Sequence, residues 1–63
     1  ETIIAFLTRI RMEKAAELMK DPDKKLETIS FLVGYDDYNY FSRVFRKKMG
    51  CSPREYRNNL AQL

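Results

Sequence analysis

Histidine and tryptophan are absent from this chain, cysteine occurs once, and glycine and proline occur twice each. With no imidazole and one thiol there is no zinc constellation, and Cys51 cannot close an internal disulfide. A reducing compartment is the expected setting. No nucleophile has a base beside it and no glycine-rich phosphate loop occurs, so the sequence points away from an enzyme and calls for no cofactor and no metal. No apolar run has the length of a membrane span, and no signal-peptide pattern is seen. The chain opens on Glu1 rather than Met, and it reads as a piece of a longer cytoplasmic protein with no membrane partner. At 63 residues it holds one small domain, able to bury only about 60% of its unfolded surface. A separate catalytic domain does not fit.

What the chain does have is cationic charge, unevenly placed. Residues 1–33 carry six cations (Arg9, Arg11, Lys14, Lys20, Lys24, Lys25) and six anions (Glu1, Glu13, Glu17, Asp21, Asp23, Glu27), which cancel. Residues 34–63 carry Arg43, Arg46, Lys47, Lys48, Arg54 and Arg57 against Asp36, Asp37 and Glu55, so the whole net charge of +3 lies there. Arg43 to Lys48 form a local field suited to phosphate. A solvated helix face is the plainer reading of the same charges.

No stretch alternates apolar and polar residues long enough to argue a strand, whereas helical spacing recurs, so an all-α fold of about four helices is expected. The first helix runs from about Thr2 to Lys20 and is ended by Asp21-Pro22. At about 100° per residue, Ile3, Ile4, Leu7, Ile10, Ala15 and Leu18 share one arc and form the expected core face, opposite Arg9, Glu13 and Lys20. Met12 and Met19 read as gap-fillers. A second helix, about Leu26 to Val33, buries Leu26, Ile29 and Val33 and begins poorly at Lys25. Gly34 stops it, and Asp36 or Asp37 caps a third helix reaching Met49, with Phe41, Val44, Phe45 and the Lys48 stem on its inner arc. Gly50 ends that helix, and Ser52-Pro53-Arg54-Glu55 is a capping box with proline at the first helical position of a last helix through about Leu60. Tyr56 and Leu60 share its inner face.

A short helix, a glycine-containing turn and a second helix make a helix-turn-helix, whose second helix enters the major groove of DNA. On the third helix the core arc leaves Asn39, Ser42, Arg43, Arg46 and Lys47 outside. Asn bonds adenine and Arg bonds guanine with two hydrogen bonds each, and Ser serves either, so Asn39, Ser42 and Arg43 are the candidate base readers. Arg46 and Lys47, further along, suit the flanking phosphates, as do Thr28 in the second helix and Tyr38 on the flank. Tyr38 can equally pack. Phe41, Phe45, Tyr35 and Tyr56 have core spacing rather than that of a base-stacking platform.

The run Gly34-Tyr35-x-Asp37-x-x-Tyr40-Phe41-Ser42-Arg43-x-Phe45-Arg46-Lys47-x-x-Gly50-x-Ser52-Pro53-x-x-Tyr56-Arg57 closely resembles the signature of the AraC/XylS family of bacterial transcription regulators. Upstream, Phe6-Leu7-x-x-x-Arg11-x-x-x-Ala15-x-x-Leu18-Met19 is similar to that family's linker helix, and Leu26-x-x-Ile29-Ser30-x-x-Val33 to the start of its second helix-turn-helix. The resemblance implies a homeodomain-like partial DNA-binding domain: residues 1–20 a linker helix, 26–49 a helix-turn-helix and 53–61 a closing helix. It implies double-stranded DNA as the partner, together with a first helix-turn-helix and an effector or dimerisation domain elsewhere in the parent protein. Against that first unit the initial helix would expose Ala5, Phe6 and Ala16. Ser30 stands where the family commonly has Ala, and its hydroxyl needs a partner such as the carbonyl four residues back. A second reading makes the chain a protein-interaction module, docking RNA polymerase or the rest of the regulator through its first and last helices.

Arg11 falls within the apolar arc of the first helix, where a bare guanidinium is costly to bury. An ion pair with Asp36 or Asp37 is therefore expected, locking the first helix to the third. The competing partner is a phosphate.

Overall fold

The computed structural model describes residues 1–62. Thr2 opens the first helix: its hydroxyl accepts the Ala5 N–H at 3.0 Å, and α1 (Ile3–Leu18) runs to the loop around Pro22. Lys25, with no side-chain bond to give, starts the short α2 (Leu26–Leu32). Asp37 accepts the Asn39 N–H at 2.9 Å and starts α3 (Tyr38–Met49). Ser52 and Glu55 exchange bonds of 3.1 and 3.2 Å in a reciprocal capping box, and Pro53 leads α4 (Pro53–Ala61). The helices lie where the sequence patterns put them, to within two residues.

α3 is the hub, packed against each of the other three helices. Phe41 and Phe45 project from one side of it into the core, both fully buried among Met12 and Ala15 of α1, Met19 just after it, Ile29 of α2, and Val33 and Tyr35 beyond α2. The rings form a continuous run from the α2–α3 turn to α4: Tyr35 to Phe41 at 5.6 Å, Phe41 to Phe45 at 5.7 Å, and Phe45 edge-on to Tyr56 at 5.5 Å. Truncating either phenylalanine to alanine would cost about 3–5 kcal/mol, most of what so short a chain has to lose. Leu60 and the half-buried Tyr56 close this core from the α4 side, as their spacing suggested.

α1 buries a different face from the one its apolar count indicates. Ile3 and Ile4 are 79% and 78% exposed, and Phe6, Leu7 and Ile10 also face outward. The buried positions are Met12, Ala15, Ala16 and Met19, spaced by three, four and seven, with Ala5 and Thr8 half-buried above them. The helix carries two apolar arcs centred roughly 140° apart. The one with small side chains lets α3 approach closely, so the narrower Ala/Met stripe becomes the core and the larger Ile/Leu arc is left outside. Met12 and Met19 are thus central, and Ala16 is not exposed.

The α2–α3 turn is closed twice. Gly34 (φ +103°) sits at the left-handed position of a Schellman motif, with its N–H donating to Phe31 O at 3.0 Å and the Tyr35 N–H to Ser30 O at 2.9 Å. The fully buried Ser30 hydroxyl then donates forward to Tyr35 O at 3.2 Å, not back to the carbonyl four residues earlier. Ser30 and Tyr35 therefore hold each other in both directions. Gly50 (φ +87°) ends α3 in the same left-handed region, its N–H donating to Arg46 O at 2.9 Å.

A Cβ on Gly34 would meet the Arg11 guanidinium at 3.5 Å, an ordinary contact distance, and one on Gly50 would meet nothing within 4 Å. Backbone strain alone therefore sets the cost. Gly34→Ala and Gly50→Ala should each lose about 1–2 kcal/mol in urea unfolding. An unchanged midpoint for Gly34→Ala would contradict the turn described here.

Candidate nucleic-acid interface

Because Phe41 and Phe45 point inward, the opposite arc of α3 is forced outward. Asn39, Arg43, Arg46 and Lys47 are all exposed there, as their spacing required. Ser42 is half-buried and stands at the flank rather than the centre of the arc, nearer the core than expected. The other flank of the arc holds Tyr40, 52% exposed, to which sequence reasoning gave no role beyond the family signature. Its position three residues before Arg43 was the available signal.

No carboxylate lies on this arc within α3, whose residues Tyr38 to Met49 include no Asp or Glu. The one ion pair on the arc among the described residues is with Glu55 of α4, whose oxygen stands 3.8 Å from Arg46 Nη1. Ser52, first through its backbone N–H and then through its side chain, holds the Glu55 carboxyl below its ordinary value, with Arg46 adding less. The Arg46 pair is long and fully exposed, so it contributes little and can be exchanged for another anion. Arg43 and Lys47 form no ion pair among the described residues.

Tyr38 has taken the packing role. It is half-buried, its ring 6.1 Å from that of Phe41. Burial and then the Glu27 carboxylate push its phenol above the ordinary value, while Arg54 and Arg57 oppose them, so the hydroxyl stays protonated and free to donate at the edge of the arc. Thr28 is exposed on α2, beside the loop of Asp21, Asp23, Lys24 and Lys25.

Arg11 does not pair with Asp36 or Asp37. The four ion pairs among the described residues are Arg9–Glu1, Arg9–Glu13, Lys20–Glu17 and Arg46–Glu55. The Arg11 side chain is on the outside, so no buried charge has to be neutralised. Its guanidinium lies over the Tyr35 ring, 5.6 Å from the centroid, and against Gly34. Asp37 is committed to capping α3. The link between α1 and the turn is thus a cation over a ring instead of an ion pair. A further tie, from a residue with no role in the sequence reading beyond the family signature, is Arg57: its Nη2 donates to Asp21 O at 3.2 Å and joins α4 to the α1–α2 loop.

A short helix closed by a left-handed glycine, followed by a helix with a buried aromatic side and a cationic outer side, defines a helix-turn-helix protein. The family described as "Helix-turn-helix domain" matches residues 1–59. The chain is 40% identical over 57 residues to "HTH-type transcriptional activator RhaR" of Mannheimia succiniciproducens, covering 90% of this chain and 21% of that protein. It is 39% identical over 61 residues to "MmsAB operon regulatory protein" of Pseudomonas aeruginosa, covering 97% of this chain and 20% of that protein. It is also 33% identical over 57 residues to "Histidine kinase P4" of Formosa agariphila, covering 90% of this chain and 4% of that protein. No solved structure matches. The chain belongs to the AraC/XylS family of helix-turn-helix transcription regulators. It spans about a fifth of the length of the two regulators named above. No helix among the described residues is long and apolar enough to cross a membrane.

Without an ion pair to lose, Asp36→Asn should change stability by less than about 0.5 kcal/mol. Arg11→Met should cost about 0.5–1 kcal/mol through the lost cation–ring contact. Thermal unfolding of the two variants checks both, and a loss of about 2 kcal/mol or more for Asp36→Asn would restore the ion pair.

Proposed function

We propose that this chain is a sequence-specific DNA-binding unit of a bacterial AraC-type transcription regulator, with α3 seated in the major groove. The observation that carries the reading is the outer arc of α3: Asn39, Tyr40, Arg43, Arg46 and Lys47 side by side, with no acidic residue of their own helix, behind them a core that fixes the helix's rotation. α3 has 12 residues, about 18 Å of rod with a diameter of about 10–12 Å, against a groove about 12 Å wide.

In this reading Asn39 and Arg43 meet base edges, with Ser42 reaching in from the flank. Arg46, on releasing Glu55, and Lys47 take phosphates beyond the groove, and Tyr38 and Thr28 supply hydroxyls to the backbone on either side. The exposed arc of Ile3, Ile4, Phe6, Leu7 and Ile10 on α1 supports a companion reading, in which α1 is the linker helix and the first helix-turn-helix of the parent packs on it. The parent's effector or dimerisation domain, RNA polymerase as a further partner, and a cytoplasmic setting belong to the same proposal. For the chain by itself the expected affinity is mostly nonspecific, on the order of 10⁻⁴ to 10⁻⁶ M at physiological salt.

The two kinds of contact respond differently to mutation. Arg43→Ala should cost about 1–3 kcal/mol on the preferred duplex and relax choice at one base position. Lys47→Ala should weaken all duplexes alike and make the slope of log K against log salt shallower by about 0.9. Fluorescence anisotropy over a panel of duplexes and salt concentrations measures both; equal losses on every sequence for Arg43→Ala would move it to the backbone.

A further inference from the structure

The three arginines and lysines on the outer arc of α3 are not held alike. Lys47 has no ion pair among the described residues, and Arg46 touches only the long contact to Glu55. Arg43 alone of the three lies over a ring: its guanidinium carbon is 6.0 Å from the centroid of Tyr40, one turn earlier on the same helix. Tyr40 is not a loose surface ring. Its centroid is 5.8 Å from that of Tyr35 at a 45° tilt, and Tyr35 is only 9% exposed and packs on Phe41. Arg11 lies over Tyr35 in turn. The sequence Arg11, Tyr35, Tyr40, Arg43 is therefore one stack, running from α1 across the helix-turn-helix turn to the outer arc.

We propose that Tyr40 is a specificity-determining positioning residue, its ring holding the Arg43 guanidinium in the outer arc so that the fork is presented to a base edge. This rests on the DNA-binding reading above. A free arginine side chain spreads over many rotamers, and fixing it on binding is costly in entropy. A planar guanidinium resting on a fixed ring loses less, and its bidentate fork is the part of the arc best able to tell guanine from other bases. Arg46 and Lys47, with no such support, meet phosphates, for which a swinging charge suffices. The ring is what matters, since the contact is to its face and no hydrogen bond of the Tyr40 hydroxyl occurs among the described residues.

The test compares the chain with Tyr40→Phe, Tyr40→Leu and Arg43→Ala by selection from duplex DNA carrying a randomised block, after circular dichroism has shown that each variant folds. Tyr40→Phe should keep the wild-type profile. Tyr40→Leu should lower discrimination about two- to fivefold at the same base position that Arg43→Ala flattens, with smaller change elsewhere. An unaltered profile for Tyr40→Leu, or a change at a different base position, which would make Tyr40 itself a reader, overturns the proposal. A second measurement needs no DNA: in proton NMR of the free chain, the Arg43 side-chain methylenes should be shifted upfield by the ring in wild type and Tyr40→Phe and return to ordinary values in Tyr40→Leu. Identical shifts in all three would remove the support. A wild-type chain that binds no duplex DNA, yet shows the ring-current shift, would speak against the DNA reading and with it the role in specificity, while leaving the stack in place.

Discussion

The turn at Gly34 is the constraint on which the rest depends. Ser30 and Tyr35 bond each other through both backbone and side chain, around a glycine in the left-handed region. That closure sets the angle between α2 and α3 and drops Tyr35 into the core, where its ring meets Phe41. With Phe41 and Phe45 then buried, the rotation of α3 about its axis has no freedom left. A rotation of one residue, about 100°, would bring Arg46 or Val44 to where Phe45 now packs, exchanging a fully buried ring for a charge or a smaller side chain. The outward arc is thus a consequence of packing on the other side, and the surface chemistry is aimed by the interior.

The same turn carries the connection to α1. Arg11 covers Tyr35 and abuts Gly34, so the first helix, the turn and the start of α3 meet at one point. A cation over a ring in this exposed position contributes modestly to stability. Its effect is geometric, tying the direction of α1 to that of α3. In the proposed reading, with α1 linking two binding units, that angle would set how the units reach the DNA. The Ser52–Glu55 capping box works at the other end in a similar manner, fixing α4 so that Tyr56 closes over Phe45 and Arg57 reaches the α1–α2 loop.

Much of this was legible in the residues. Pro22, Gly34, Gly50 and Ser52-Pro53 mark one end of each of the four helices because each acts locally, through fixed φ, left-handed backbone or a side-chain cap. The inner arc of α3 was equally plain, since two phenylalanines four residues apart can point only one way. α1 was not. Its Ile3, Ile4, Leu7 and Ile10 outweigh Met12, Ala15, Ala16 and Met19 on any count of apolar size, yet the smaller stripe is the buried one. Periodicity finds apolar faces but does not say which of two faces a neighbour will choose. That depends on how closely helices must approach, and alanine decides it here. The Arg11 ion pair failed for the same reason: once the arc containing Arg11 is outside, a guanidinium there needs no carboxylate. Ser30 took a partner across the turn, which sequence spacing within the helix does not suggest. Tyr40 was passed over because the core took Phe41 and Phe45 and the groove reading looked for polar side chains; its spacing of three from Arg43 put it on that side, and the structure adds the contacts to Tyr35 and Arg43.

The central claim is that the outer arc of α3, and not the apolar arc of α1, is the surface that meets DNA. Amide chemical shifts of the chain, followed while short duplex DNA is added at low salt, test it most directly. The largest changes are predicted at Asn39, Tyr40, Arg43, Arg46 and Lys47, with a second group near Thr28 at the start of α2, all reversing as salt is raised. Changes confined to Ile3 through Ile10 and to α4, with α3 unmoved, would contradict the account.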